Sequence, residues 1–144
     1  MTDDERLARE EIRYTQSVYN SEGDRGRIDA LLTAFTADGV LELDSGTYEG
    51  HDAIRGALSL VVDGTRADTS GPKPFIRHNL TTSRVEFVSD TEANGWTYWF
   101  VVTPIGFDHS GVYVDRFVKT GDRWLIAHRR VKVDWIDPES RFGR

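Results

Sequence analysis

Cysteine is absent from this 144-residue sequence, and methionine occurs only once. Without thiols the chain has no disulfide framework and no thiolate nucleophile, so a cytoplasmic location is expected. Apolar runs are too short to cross a bilayer, and the acidic start lacks the apolar core of a signal peptide. The 18 Lys and Arg residues are outnumbered by 24 Asp and Glu, so the net charge of −6 argues against nucleic acid and membranes as partners.

Metal-binding patterns are missing as well. The four histidines are scattered, and none has the HxH or HxxxH spacing of a zinc site, so no metal is expected. What is present is a globular composition, with 38% hydrophobic and 11% aromatic residues. A chain of 144 residues with this composition can bury its own core, which predicts a single domain over 1–144.

The periodicity of apolar residues changes from helical to alternating near Phe75. Helical spacing covers 4–20, 28–35 and 51–62, with short strands at 40–44 and 46–50. Alternation and turn residues then predict strands at 76–88, 94–104, 111–119 and 123–135, the last two joined by a tight turn at 120–122. Helices followed by long strands predict an α+β fold, in which three N-terminal helices pack on a curved, mostly antiparallel sheet.

Two segments lack periodicity. The polar stretch from Asp63 to Pro74 predicts a long loop, which is either a lid or pocket rim or a plain surface excursion. The tail, 136–144, is expected to be loose or to contact another copy of the chain.

Asp24 and His78 are the strongest candidates for chemistry. Asp24 follows the first predicted helix, and His78 lies at the start of the first long strand. A carboxylate held against an imidazole fixes the tautomer of the ring and makes it a general base that needs no cofactor. The alternative is a structural hydrogen bond between helix and sheet in a protein that only binds its ligand. The other histidines, His51, His109 and His128, fit a helix start, a turn and a strand.

Several segments resemble a known family. Tyr19-Asn20-Ser21-Glu22-Gly23-Asp24, followed by Phe35-Thr36-Ala37-Asp38, looks like the opening of the SnoaL-like families of the NTF2 superfamily. Gly50-His51-Asp52-Ala53-Ile54 resembles their third-helix start, and Arg77-His78-Asn79 and Gly121-Asp122-Arg123-Trp124 resemble two later segments. The order and spacing of these segments extend the resemblance over nearly the whole chain. It implies an NTF2-like cone with an apolar pocket between helices and sheet.

Within that superfamily the resemblance is to cofactor-free enzymes: scytalone dehydratase, bile-acid 7α-dehydratase and hexachlorocyclohexane dehydrochlorinase. Those enzymes use an Asp–His dyad, and Asp24 and His78 fall on its two positions. Tyr19 falls where the bile-acid dehydratase has a catalytic tyrosine. The dehydratases place an acid or a second histidine where this chain has Val101 and Thr103, so its general acid stays open.

Strand alternation and the resemblance together indicate which side chains line the pocket. The alignment places Trp99, Val101 and Thr103 inside. Alternation puts Asp115 between two aromatic residues on one face of the next strand, at the position of an oxyanion-binding aspartate in ketosteroid isomerases. Arg129 and Arg130 point to opposite faces, so at most one enters the pocket. The predicted substrate-binding residues are Trp99, Val101, Thr103, Tyr113, Asp115, Phe117 and Arg129.

Alternative roles exist for some of these residues. Asp115 and Arg129 could instead form salt bridges, since a buried carboxylate must be paired or protonated. If Trp99 faces inward, Tyr98 and Phe100 face outward and are exposed, which predicts a homo-oligomer, either a dimer or a trimer.

The sequence thus predicts a cofactor-independent lyase or isomerase that acts on a small apolar, cyclic substrate. His78, oriented by Asp24, removes a carbon-bound proton, and Tyr19 holds the oxygen that gains charge. Two alternatives stay open. The segment Ala127-His128-Arg129-Arg130 also resembles the small β subunits of ring-hydroxylating dioxygenases, and a protein that only binds a small molecule has the same pattern.

Overall fold

The computed structural model of the protein describes residues 1–67, 71 and 73–142, which fold into three helices and six strands. The helices are α1 (Asp3–Asp24), α2 (Ile28–Leu32) and α3 (Gly50–Ala67). The strands are β1 (Phe35–Leu43), β2 (Gly46–Glu49), β3 (Arg77–Phe87), β4 (Glu92–Thr103), β5 (Gly106–Thr120) and β6 (Arg123–Ile136). In this part of the chain their order is β2-β1-β6-β5-β4-β3, antiparallel except where β1 pairs with β6. The predicted α+β fold is confirmed.

Helix α1 is defined at both ends by local chemistry. At its start Thr2 and Glu5 form a capping box, in which each side chain accepts a hydrogen bond from the backbone N–H of the other. At its end Gly26 has φ 72°, a left-handed conformation that glycine adopts without strain, and the chain reverses there. Asp24 therefore lies at a fixed position in the last turn of the helix.

The second helix is shorter than predicted. The pattern over 28–35 suggested a helix that continues through Phe35, but α2 ends at Leu32 and Phe35 begins β1. The reason is the sheet: β1 lies parallel to β6, Phe35 pairs with Ile126, and the Ile126 N–H donates to the Ala34 carbonyl at 2.8 Å. Asp38 and Gly39, which follow the predicted helix, lie within this strand.

The long loop and the loose tail also need correction. Helix α3 continues to Ala67 instead of ending near Val62, so the expected loop from residue 63 begins later; its residues 68–70 and 72 lie outside the described part of the chain. The tail is not loose as far as it is described. The N–H of Asp137 donates to the Asp108 carbonyl at 2.8 Å, and Ser140 is buried.

The two faces of β4 differ in burial as predicted. Trp99, Val101 and Thr103 are buried, whereas Tyr98 on the opposite face is 54% exposed. The interior face packs against α1, whose buried Ile12, Thr15 and Tyr19 recur at helical spacing. No helix within the described residues is long and apolar enough to span a bilayer.

Two glycines provide a matched test of this packing. A Cβ at Gly111 would lie 1.8 Å from the Lys132 carbonyl oxygen and 2.6 Å from the Trp99 ring, whereas a Cβ at Gly56 in α3 meets nothing within 4 Å. We expect Gly111→Ala to lower the free energy of unfolding by about 1–3 kcal/mol or more through overpacking. Gly56→Ala is expected to raise it by about 0.5–1 kcal/mol, because alanine loses less backbone entropy in a helix. Urea denaturation measures both, and equal effects would contradict the described β5–β6 register.

Candidate active site

Asp24 and His78 are in direct contact. The Asp24 carboxylate accepts a hydrogen bond from His78 Nδ1 at 2.5 Å and another from the His78 backbone N–H at 2.9 Å. Both carboxylate oxygens are therefore used by one residue, which holds the imidazole in position and places its proton on Nδ1. The Nε2 lone pair is left to accept a proton, and the His78 side chain is 23% exposed.

The two residues come from elements that are far apart in the sequence. Asp24 lies in the last turn of α1, and His78 is the second residue of β3, the edge strand of the sheet. His78 pairs with Val101 on β4, and its ring centroid lies 6.2 Å from that of Trp99. The imidazole is thus bounded by the helix on one side and by the interior face of the sheet on the other.

A second carboxylate–imidazole pair, Asp108–His109, lies on β5. The sequence suggested that His109 belongs to a turn, but it is a buried strand residue whose Nδ1 lies 2.6 Å from Asp108 Oδ1. Asp108 also accepts hydrogen bonds from Thr103 Oγ1 at 2.7 Å and from Ser140 Oγ. The His109 ring packs against the rings of Trp99 and Phe142, at centroid distances of 5.5 and 5.3 Å.

The environment shifts the pKa of both members of this second pair. Burial opposes ionisation of Asp108, but hydrogen bonds from Ser140, His109 and Thr103 outweigh it and hold the pKa of this carboxyl below its ordinary value. Burial lowers the pKa of His109, and the charge of His78 lowers it further, although Asp108 acts in the opposite direction. The pKa of His109 therefore depends on the protonation state of the first pair.

Asp115 and Arg129 form an ion pair in the core. Arg129 Nε and Nη2 donate to the two Asp115 oxygens at 2.8 and 2.9 Å, and both side chains are fully buried. The guanidinium lies between two rings, 4.4 Å from the centroid of Tyr19 and 3.9 Å from that of Tyr113. Burial raises the pKa of both tyrosines. The salt bridge considered as the alternative role of Asp115 and Arg129 is therefore present.

Two cavities adjoin Asp24. The first, of about 280 Å³, is mostly apolar and includes Thr103 and Asp108 in its wall. Its apolar lining is Val62, Pro74, Phe75, Ile76, Ile105 and Phe142. The second, of about 680 Å³, runs between α1 and β3, includes His78, and is lined mainly by polar side chains. Asp24 belongs to the walls of both cavities, whereas His78 belongs to the wall of the second only.

The predicted site residues therefore divide into two groups. Asp24, His78 and Thr103 line these cavities. The other predicted residues pack in the interior and belong to the walls of neither cavity: Tyr19, Trp99, Val101, Tyr113, Asp115, Phe117 and Arg129. Of the residues that sequence reasoning missed, Asp108 had one usable signal, since it directly precedes His109 and so places a carboxylate next to an imidazole.

The core ion pair provides a test of its own. Asp115→Asn leaves the Arg129 charge buried without a counterion, so we expect the free energy of unfolding to fall by about 3–5 kcal/mol. The control is Glu42→Gln, which breaks the half-exposed contact with His128, 3.0 Å long. That substitution should cost less than about 1 kcal/mol. Thermal or urea denaturation separates the two expectations, and a small loss for Asp115→Asn would contradict the buried pairing.

Comparison with known proteins gives the family. The SnoaL-like domain matches residues 4–130 of this chain. No curated protein matches the sequence significantly. A candidate scytalone dehydratase of known structure, from Novosphingobium aromaticivorans, is 20% identical with a TM-score of 0.78, over 100% of this chain and 99% of that one.

Two further solved structures are similar. The hexachlorocyclohexane dehydrochlorinase LinA-type3 from Novosphingobium barchaimii is 18% identical with a TM-score of 0.70, over 92% of this chain and 88% of the other. The β subunit of a candidate aromatic-ring-hydroxylating dioxygenase from N. aromaticivorans is 17% identical with a TM-score of 0.72, over 92% of each chain. At such identities these likenesses show the fold, which is the NTF2-like cone. By the match over residues 4–130, the chain belongs to the SnoaL-like domain family.

Proposed function

We propose that this protein is a cofactor-independent lyase or isomerase of the dehydratase type. His78, oriented by Asp24, removes a carbon-bound proton from a small apolar, cyclic substrate. The observation that carries the proposal is the two-point contact of the Asp24 carboxylate, which lines both cavities, with the ring and the backbone N–H of His78. An imidazole fixed in this way presents Nε2 as a proton acceptor without further rearrangement.

The first cavity supports the proposed substrate class. Its volume of about 280 Å³ lies at the lower end of the range for small-molecule sites and suits one or two fused rings. Phe75, Ile76 and Phe142 give it an apolar wall, while Asp24, Thr103 and Asp108 place polar atoms at its boundary. An apolar ring carrying few oxygen atoms fits this distribution best.

The interior residues have a supporting role in this proposal. Trp99 packs against both His78 and His109, and among the described residues its indole N–H and Arg129 Nη1 are buried without a hydrogen-bond partner. Arg129 Nε and Nη2, in contrast, donate hydrogen bonds to Asp115. Tyr19 contacts the Arg129 guanidinium. We propose that Trp99, Tyr19 and Arg129 affect the electrostatic potential at the site, and that they contact a substrate oxygen only if the substrate enters the core.

The similar structures agree with this reaction class. A dehydratase and a dehydrochlorinase are both named for an elimination, in which a proton leaves carbon and a neighbouring group departs. Elimination requires a base beside an apolar cavity, and we propose that the imidazole held by Asp24, which lines that cavity, is this base.

The base is tested by proton exchange. In D₂O, wild-type protein is incubated with a panel of cyclic ketones that carry a hydroxyl or halide β to the carbonyl, and deuterium uptake and elimination are followed by NMR. We expect His78→Ala to lower the rate of both by about 10²–10⁴-fold, because a positioned base contributes that much.

The control for this experiment is His128→Gln, which changes a half-exposed histidine paired with Glu42 far from either cavity. It is expected to retain the wild-type rates. Turnover that survives His78→Ala unchanged would rule out the base. A protein without turnover that co-purifies with a large iron–sulfur subunit would instead be a dioxygenase β subunit, which the third similar structure favours as the second candidate.

We also propose that a second copy of this chain covers the outer face of the sheet. Trp96, Tyr98, Phe107 and Trp135 are exposed there, and the Phe107 ring packs between those of Phe100 and Trp135 at centroid distances of 5.4 and 5.6 Å. This aromatic surface is continuous across β4, β5 and β6, and contiguous apolar surface of this kind is typical of an interface. Both signs of charge border it, with Arg130 and Lys132 near Asp134, which permits self-complementary contacts.

Sedimentation velocity tests the oligomer. The wild-type protein is expected to sediment as a dimer or trimer at micromolar concentration. Tyr98→Lys introduces like charges into the interface and should shift the protein towards the monomer, while the buried site is unaffected. Lys119→Glu, a change at the end of β5, serves as a control on general charge effects. A monomeric wild-type protein would contradict the proposal.

A further inference from the structure

The two carboxylate–imidazole pairs lie in one row across the sheet. His78 on β3 is opposite Val101 on β4, and Val101 is opposite His109 on β5. Directly opposed residues on neighbouring strands point to the same face, so both imidazoles face the interior. At about 4.8 Å per strand their backbones lie about 10 Å apart. The two rings also share a neighbour, because each packs against Trp99.

A β-bulge makes the second pair possible. Val101 pairs with His109, but the next residue, Val102, pairs with Phe107, so Asp108 is an extra residue without a partner on β4. In a regular strand adjacent side chains point to opposite faces; at the bulge both Asp108 and His109 are buried. Such irregularities re-aim side chains and are common beside active sites.

The position of Asp108 links the second pair to the substrate cavity. Asp24 and Asp108 both belong to the wall of the apolar cavity, and each holds an imidazole through Nδ1. With Nδ1 occupied in both rings, Nε2 is the atom left to exchange protons in each. Both carboxylates that orient an imidazole therefore line the cavity, whereas proton abstraction alone needs only one such pair.

We propose that His109 is the proton donor that completes the reaction begun by His78; this inference rests on the function proposed above. In a dehydration, His78 Nε2 takes the proton from carbon, and the C–H electron pair becomes the new C=C bond. The neighbouring C–O bond breaks with its electron pair on oxygen, and the imidazolium of His109 gives its Nε2 proton to that oxygen, which leaves as water. His78 is then protonated and His109 is neutral, and one proton returned through solvent restores the starting state.

The electrostatics of the site suit this exchange. Burial and the charge of His78 make the imidazolium of His109 a stronger acid than an ordinary histidine. Repulsion by the charge of His78 disfavours protonation of His109 while His78 is charged. The charged and titratable groups that act on His109 are Asp108 on its own strand and His78 across the sheet, while Asp24, Glu139 and Arg141 belong with Asp108 to the cavity wall.

The same residues also anchor the tail, which gives the competing explanation. Ser140 donates to Asp108, and Phe142 packs on the His109 ring, so the second pair could serve only to hold 137–142 in place. Ser140→Ala is the matched control because it removes this anchor while leaving the contact between His109 and Asp108 intact.

The chemistry of the leaving group distinguishes proton donation by His109 from a role in anchoring residues 137–142. Hydroxide needs a proton to depart, whereas a halide does not, so the hydroxyl and halide series of the cyclic ketone panel are compared for each variant. We expect His109→Gln to slow elimination of water by about 10²-fold or more. Elimination of halide and exchange of the carbon-bound proton should stay within a few-fold of wild type. Ser140→Ala should leave the ratio of the two series unchanged.

Three outcomes would overturn the proposal. His109→Gln could leave dehydration at the wild-type rate, could slow both series equally, or could behave as Ser140→Ala does; the last two indicate an anchoring role. Failure of the proposed function is a different result, since His78→Gln would then retain proton exchange and both eliminations. Circular dichroism establishes that each variant is folded.

A second measurement needs neither a substrate nor a folded His109 variant. The protein labelled with ¹⁵N-histidine is titrated by NMR as wild type, His78→Gln and His128→Gln. The pKa of His109 is expected below its ordinary value in the wild type and should rise in His78→Gln, because a repelling charge is removed. It should not change in His128→Gln. A pKa of His109 that does not change on loss of His78 would overturn the proposed coupling of the two imidazoles.

Discussion

The contact between Asp24 and the first residues of β3 is the interaction on which the site depends. Strand β3 is the edge of the sheet, and one carboxylate fastens its beginning to the end of α1 through both oxygens. A single contact to the ring would leave the strand free to shift along the helix, but the second bond, to the His78 backbone, removes that freedom. The helix end is itself fixed by Gly26. The position of the imidazole is therefore set by the backbones of α1 and β3, and precise functional sites are built on rigid elements of this kind.

The interior of the cone holds a buried ion pair among its apolar side chains. Asp115 neutralises Arg129, and two aromatic rings enclose the guanidinium, so the centre of the domain is stiff and closed. The apolar cavity lies instead beside Asp24 and Asp108, between the end of α1, the residues that precede β3 and the tail segment. The buried Asp115–Arg129 pair thus stabilises the interior, whereas the carboxylates of the two Asp–His pairs lie at the cavity wall.

The parts of the fold that follow from local pattern were predictable, and the parts that depend on strand pairing were not. Alternation put Trp99 and Tyr98 on opposite faces, and the resemblance to the SnoaL-like families indicated that Trp99 faces inward and that Asp24 partners His78. Helical spacing misassigned Phe35, because its buried position satisfies a helix and a parallel strand equally well. His109 was missed for a related reason: the bulge at Asp108 breaks the period of two, and nothing local in the sequence signals a bulge.

The parallel pairing of β1 with β6 has a consequence for how the chain reaches its native state. Strand β6 lies between β1 and β5 in the sheet, yet it follows every other strand in the described sequence. The β1–β2 hairpin therefore has no strand to join until β6 has been synthesised. Contacts that span so much of the chain slow folding, since loop closure must precede the contacts that stabilise it. During synthesis the hairpin's exposed edge is open to pairing with other chains, so rapid docking of β6 limits aggregation.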